Sequence, residues 1–381
     1  MIGGGPAGVT AAAAAAAGGA KVVLVEITDR LGGAVTTAMH RSICGLYASE
    51  PKSPFYTLND SWQRTIVGRM VSHSPDDVKP RQFGKAWVLE FPPAAWAAAL
   101  DETVTHPNIE RRMRTRVASV HREGDHLSAI ELGGDQAGTL VAKVFIDCSG
   151  GQLLSLAGDD AVQPEDADRM LAGYAVRLAK IGGHLELLRL QIPYALAKSV
   201  QAGELQAIAR FTVFYPGPGA GEGVCKLAVD LSEMSAIDIE RCADCILVVL
   251  RRDVPGFAGT VEVERSSNAI SREGRRLIGR ATLTEHDVLS AHKQKAEVVH
   301  AWWPAERWSA ADGPTYAYPP VGESYDITGD MLRSATIGNL LAAGNAISAT
   351  QGAAASSRAS GICIATGGLA GQIAATIATN G

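Results

Sequence analysis

A chain of 381 residues can bury a sizeable core in one large domain or two interlocked ones, and 46% apolar with 20% charged residues excludes a disordered or fibrous protein. The formal charge of −5, with no basic run longer than a pair or two, excludes nucleic acid and an anionic membrane surface as main partners, because phosphate binding needs a concentrated basic face. The six cysteines show no secreted disulfide framework, no window of 18 uninterrupted apolar residues occurs, and no basic leader precedes the first glycines, so a reduced, cytoplasmic protein without a membrane span is expected.

Residues 1–26 read as strand stub, tight turn, helix and strand. Gly3-Gly4-Gly5-Pro6-Ala7-Gly8 has the G-x-G-x-x-G spacing. The first glycine makes the turn, the second lets a pyrophosphate approach the backbone, and the third lets helix and strand pack closely. Alanine-rich sequence to Ala17, ended by Gly18-Gly19, predicts a slim helix over 6–17. Lys21 to Glu26 holds a continuous apolar run, Val22 to Val25, ending in an acid, as expected of a parallel strand covered on both faces. Glu26 stands where a carboxylate accepts hydrogen bonds from ribose hydroxyls and repels a 2′-phosphate, which disfavours NADP. Only Met1 and Ile2 precede the glycines, so the first strand is expected to be short or trimmed.

Six prolines between Pro51 and Pro93 break up residues 45–100, and a helix is predicted over 94–104. From Ile109 to Ile146 three short strands with turns at Glu123-Gly124-Asp125 and Gly133-Gly134-Asp135 predict a β-meander. Residues 160–330 mix strands and helices. Their glycine loop, Gly217 to Gly221 with Pro218 inside, lacks the strand-turn-helix setting of a second dinucleotide site. Cys242 and Cys245 form a lone CxxC inside a predicted helix, with neither a partner pair nor a helix N-terminus to activate it, so no metal site is expected. Residues 339–377 read as strand, glycine turn and long small-residue helix.

Arg30-Leu31-Gly32-Gly33-Ala34 continues directly from Glu26 and resembles the E-x-x-x-R-x-G-G stretch of the glutathione-reductase-like FAD superfamily. Phe145 to Gly150, the block from Arg272 to Gly279 with Leu283-Thr284 and Asp287 to Leu289, and the segment Asn339 to Asn345 through Arg358 extend the likeness over nearly the whole chain. The chain resembles the FAD-dependent oxidoreductases related to fumarate-reductase flavoproteins. That resemblance implies an α/β fold with a Rossmann-like FAD-binding domain, a parallel sheet with a β-meander, over 1–45, 100–160 and 330–381. An α+β substrate domain over 46–99 and 161–329 interlocks with it. It implies FAD held by Gly3, Gly5, Pro6, Ala7, Gly8, Glu26, Arg30, Gly32, Gly33 and Ala34. Further contacts are implied at Val117 (adenine), Ser149 and Gly150, and Gly344 and Asn345. The helix N-terminus at Gly361 and Ile362 is implied to lie at the flavin N1–C2=O edge. Many relatives carry Asp or Arg at the position of Asn345, and an amide there can still hydrogen-bond.

Catalytic candidates are His40, Arg272 and His300. His40 follows the second glycine pair, and serves as acid/base, as a covalent flavin tether, or simply packs beside the cofactor. Arg272, Arg275 and Arg276 suit a substrate carboxylate, an inter-domain ion-pair cluster or a pyrophosphate. His286 and His300 are proton-transfer groups or structural; Trp302-Trp303 wall a pocket or fill the core. The expected activity is oxidation or reduction of a small organic substrate between the two domains. Alternatives are a monooxygenase, or a non-catalytic flavin-binding sensor or assembly factor. Without a dedicated nicotinamide domain, electrons come from the substrate, from transiently docked NAD(P)H or from a partner reductase.

Overall fold

The computed structural model describes residues 1–166, 168–217, 219–295 and 297–380. From the glycine turn run α1 (Pro6–Ala17), β1 (Val22–Val25) and α2 (Gly33–Thr37). Next come β2 (Ser42–Ile43), α3 (Trp62–His73), β3 (Lys79–Phe83), β4 (Ala86–Glu90) and α4 (Pro93–Thr103). β5 (Ile109–Arg112) leads into β6 (Thr115–Glu123), β7 (His126–Gly134) and β8 (Gly138–Leu140), the expected meander. β9 (Phe145–Asp147) and α5 (Gln152–Ala157) close this part.

The central sheet is parallel. β5 pairs with β1 and β18 (Leu340–Ala342) pairs with β9, while Ile2 alone bridges the two halves, against Val25 on one side and Asp147 on the other. The expected strand stub is thus one bridging residue, anchored by Ile2 N donating to the Ile146 carbonyl and Cys148 N donating to the Ile2 carbonyl. Closure over the sheet comes from α10 (Ser360–Asn380), which lies on α1 backbone to backbone. A β-carbon at Gly367 would sit 2.2 Å from the Ala7 carbonyl oxygen, and one at Gly371 would sit 2.3 Å from that of Ala11. Small residues on both helices permit this contact. α10 is long and apolar enough to cross a membrane, but 78% of the relevant window is buried inside the protein, as suits a core helix.

A second, antiparallel sheet in the order β11-β12-β10-β13 is built from β10 (Ala172–Ala179), β11 (Val213–Pro216), β12 (Gly223–Val229) and β13 (Val261–Arg265). We call it the cap sheet. Strand alternation gives it two different faces. Tyr174, Val176, Leu178, Phe214, Cys225 and Leu227 bury one face under α6 (Leu185–Gln201) and α7 (Ala236–Asp253). The register puts Arg177, Tyr215, Lys226 and Glu264 on the other.

α8 (Glu285–Leu289), β14 (Val298–Ala301), β15 (Ala305–Ser309), β16 (Gly313–Ala317), β17 (Tyr325–Thr328) and α9 (Gln351–Ser357) complete the chain. Val299, Ala301, Trp302, Trp303, Tyr325 and Ile327 share one core with Ala7, Ile146, Leu341 and Ala370. Residues 46–100 likewise supply Leu46, Ile66, Met70, Leu89 and Trp96 to a core shared with Val9 and Leu24. Both stretches, which the sequence reading groups with a substrate domain, therefore bury their apolar faces against the glycine-turn half. The separate core of the cap comprises residues between Ala172 and Phe257.

Candidate active site

The glycines of the turn differ in what surrounds them. Gly3 has φ of +99°, and a β-carbon there would stand 2.6 Å from the Cys148 carbonyl oxygen; one on Gly8 would stand 1.8 Å from the Gly3 carbonyl oxygen. Gly5 is different: its β-carbon would meet nothing nearer than Gly33 Cα at 3.8 Å. Gly5 is also the N-cap of α1, without a side-chain cap and with no acid in the first turn. An uncapped helix N-terminus beside open backbone is a cradle for an anion. Gly33 closes the opposite wall, and Gly32 N donates to the Gly4 carbonyl at 2.8 Å.

Glu26 is buried, 6% exposed, at the end of β1. Its Oε2 accepts from Gly4 N at 2.6 Å, and Oε1 accepts from Thr28 N and Thr28 Oγ1, both at 2.8 Å. The carboxylate therefore braces the glycine turn. Thr115 N donates to the Glu26 carbonyl, so the start of β6, with Val117 in it, lies beside this acid. Gly150 has open space where a β-carbon would project, while the Ser149 hydroxyl is engaged by Asp147 Oδ1 at 2.6 Å. Gly344 N donates to Thr366 Oγ1, and the amide of Asn345 lies against Gly274. The donor set fits a dinucleotide: the backbone N–H groups of Gly5 and Ala7, Pro6 between them having none, would face a pyrophosphate, and Glu26 would accept from a ribose.

Arg30, Ala34, Gly361 and Ile362 have the following surroundings. Arg30 is exposed and paired with Asp29 at 3.4 Å. Ala34 is exposed in the first turn of α2, next to half-buried Gly33. Gly361 N donates to the Cys44 carbonyl at 2.7 Å, Cys44 N is held by Ser360 Oγ, and Ile362 is wholly buried in the core. The chain at Cys44 and Gly45 thus covers the N-terminus of α10. The glycine at 361 serves this close crossing, since its β-carbon would be 2.8 Å from the Cys44 oxygen.

The second half of the site lies under the polar face of the cap sheet. Met39, at φ of +52°, turns the chain after α2 and presents His40, whose N–H bonds the Val35 carbonyl. Burial pushes the His40 pKa well below its ordinary range, and the nearby Lys226 and Arg272 push it further, so the imidazole is neutral at pH 7. Lys226, on β12, has its ammonium 5.5 Å from the Tyr215 ring centroid. Desolvation and then Arg272 bring its pKa down to about 8. Arg272 stacks on Trp308 with its guanidinium carbon 4.0 Å from the ring centroid, donates to the Leu171 carbonyl, and is lowered to about 10, first by burial and then by Arg358. Cys44 is raised to about 12 by burial and is no thiolate.

Arg358, after α9, donates to the carbonyls of Arg272 and Glu306, tying the loop at 272 to β15. Glu306, opposite Tyr316 in the β15–β16 pair, accepts from Trp308 Nε1 at 2.6 Å.

His40 and Arg272 are thus brought together. The other arginines of the expected patch turn away: Arg275 pairs with Glu165 and Arg276 with Asp166, each at 2.7 Å. His300 is held in β14, its Nδ1 2.7 Å from Asp326 Oδ1 and its backbone bracketed by the Asn59 amide. His286 is exposed, and Trp302 and Trp303 fill the core. Pro218 lies outside the described residues. Lys226, Tyr215, Glu306, Trp308 and Tyr316 escaped the sequence reading. Lys226 did leave a signal, as the one charge in the apolar run Gly223–Val229.

The sequence profile described as FAD dependent oxidoreductase matches residues 1–381. The chain belongs to the FAD-dependent oxidoreductase family. No curated protein matches it by sequence. Among solved structures, CabE, an aromatic hydroxylase from angucycline biosynthesis, shares 12% identity over 99% of this chain and 62% of its own, with a TM-score of 0.54. Aklavinone-11 hydroxylase in complex with FAD and aklavinone shares 14% over 99% of this chain and 62% of its own, with a TM-score of 0.47. For p-nitrophenol 4-monooxygenase from Pseudomonas putida DLL-E4 the values are 12%, 100%, 80% and 0.46. The FAD-dependent oxidoreductase thus shares the fold of CabE while spanning 62% of that chain.

Proposed function

We propose that this FAD-dependent oxidoreductase oxidises or reduces a small organic molecule in the pocket between the glycine turn and the polar face of the cap sheet. Bound FAD supplies the two-electron redox chemistry. The protein orients the molecule, excludes water and handles its proton. The observation that carries this reading is the meeting of His40, Lys226 and Arg272 beneath the polar face of the cap sheet. A neutral imidazole there accepts a proton from a substrate hydroxyl or carbon acid, and the adjacent cations disfavour its retaining that proton, returning it to solvent after the redox step.

Aromatic hydroxylation is a second reading. It is supported by the fold shared with CabE and by Tyr215, Tyr316 and Trp308 around the pocket. Electrons come from docked NAD(P)H or a partner reductase in that reading, and from the substrate in a dehydrogenase.

The test is the absorbance spectrum of the purified protein after reconstitution with FAD, followed by titration with NADH and NADPH in air. Bleaching followed by reoxidation supports a reductase or monooxygenase. An unchanged flavin spectrum supports a substrate-driven or partner-fed enzyme. Absence of bound flavin after reconstitution overturns the proposal.

A further inference from the structure

Among the described residues, no carboxylate lies within ion-pair distance of Lys226, Arg272 or Arg358, although most other arginines of the protein are paired with an acid. Each of the three is half-buried, the surrounding protein desolvates it, and all three pKa values fall for that reason first. The nearby acid, Glu306, turns one oxygen to Trp308 Nε1. Crowding like charges in a desolvated pocket costs folding free energy unless a counter-charge arrives. The walls are flat rings: Trp308 under Arg272, Tyr215 beside Lys226, Phe83 6.5 Å from Tyr215, and Tyr316 6.4 Å from Tyr318. Arg358 spends its donors on the Arg272 and Glu306 carbonyls and acts as a positioning residue.

We propose that the substrate is a planar aromatic acid, its carboxylate held between Lys226 and Arg272 and its ring lying among Tyr215, Trp308 and Tyr316. This rests on the proposed oxidoreductase pocket and names its substrate class. Lys226 supplies the charge that discriminates an acid from its neutral analogue, because Arg272 is already committed in part to the Leu171 carbonyl and the Trp308 face.

The test uses the FAD-loaded protein with benzoate as probe and benzamide as its neutral control, read by tryptophan fluorescence and by the flavin difference spectrum. Benzoate is expected to bind at least tenfold more tightly than benzamide. Lys226→Met should abolish that preference, with Lys226→Arg retaining it. Benzoate affinity should also fall as pH rises past about 8, the value to which Lys226 is lowered among Arg272, His40, Cys44, Glu306 and Tyr215. Equal binding of benzamide overturns the proposal, as does benzoate binding that survives Lys226→Met unchanged. Inorganic phosphate competing as well as benzoate overturns the aromatic part. Binding to the apoprotein that is lost once FAD is loaded also overturns it, because the cofactor's own charge would then be the missing counter-ion. If the protein holds no flavin but binds benzoate with this preference, the oxidoreductase reading fails and the acid site stands.

Discussion

The guanidinium of Arg358 donates to the main-chain carbonyl of Arg272, and through its other nitrogen to that of Glu306 at 2.8 Å. One side chain near the C-terminus thereby holds two walls of the pocket. Arg358→Ala leaves both carbonyls without their donor and is expected to cost about 1–3 kcal/mol in urea denaturation. Arg358→Lys should recover less than half, because an ammonium lacks the planar fork. A wild-type midpoint for Arg358→Ala would show that these bonds do not brace the pocket.

Gly5 and Gly8 should separate folding from cofactor binding. Gly8→Ala places a β-carbon 1.8 Å from the Gly3 oxygen and should prevent the native fold, seen as loss of a cooperative thermal transition. Gly5→Ala has free space on the protein side, so its apoprotein should melt within a few degrees of wild type. Its FAD affinity should nevertheless fall at least tenfold, because the new methyl group occupies the cradle at the N-terminus of α1. Flavin fluorescence on titration distinguishes the two.

Glu26 accepts from Gly4 N, Thr28 N and Thr28 Oγ1, and Glu26→Gln turns one end of the side chain into a donor facing a backbone N–H. A loss of about 1–3 kcal/mol in the apoprotein is expected, accompanied by weaker FAD binding. Weaker FAD binding with unchanged apoprotein stability would mean that the acid contacts the cofactor without bracing the turn.

Lys226 carries a pH signature. Its folded pKa of about 8 lies below its ordinary 10.5, so between these values the unfolded chain binds more proton than the folded one, and stability rises with pH. The penalty for charging Lys226 is fully present below pH 8 and gone above 10.5. Lys226→Met should therefore stabilise the apoprotein at pH 7, by up to about 3 kcal/mol less the lost Tyr215 contact, with the gain shrinking across that window. Melting curves at pH 7 and pH 10 check the sign. A gain that does not shrink would assign the effect to packing.

The dinucleotide half was legible because its determinants are local. A glycine spacing, an alanine helix and an apolar strand ending in Glu26 lie within 26 consecutive residues, and their geometry follows from backbone sterics and helix propensity. Sequence also placed His40 and Arg272 among the candidates. It could not tell Arg272 from Arg275 and Arg276, because only the tertiary fold brings Glu165 and Asp166 to the latter two. Nor could it group Lys226, Tyr215, Glu306 and Tyr316, whose meeting depends on the register of β10, β11 and β12 and on how that sheet lies over His40. The core followed the same division. Residues 298–328 read as part of a cap, yet they pack against α1 and α10, since burial is decided by which faces meet and not by proximity along the chain.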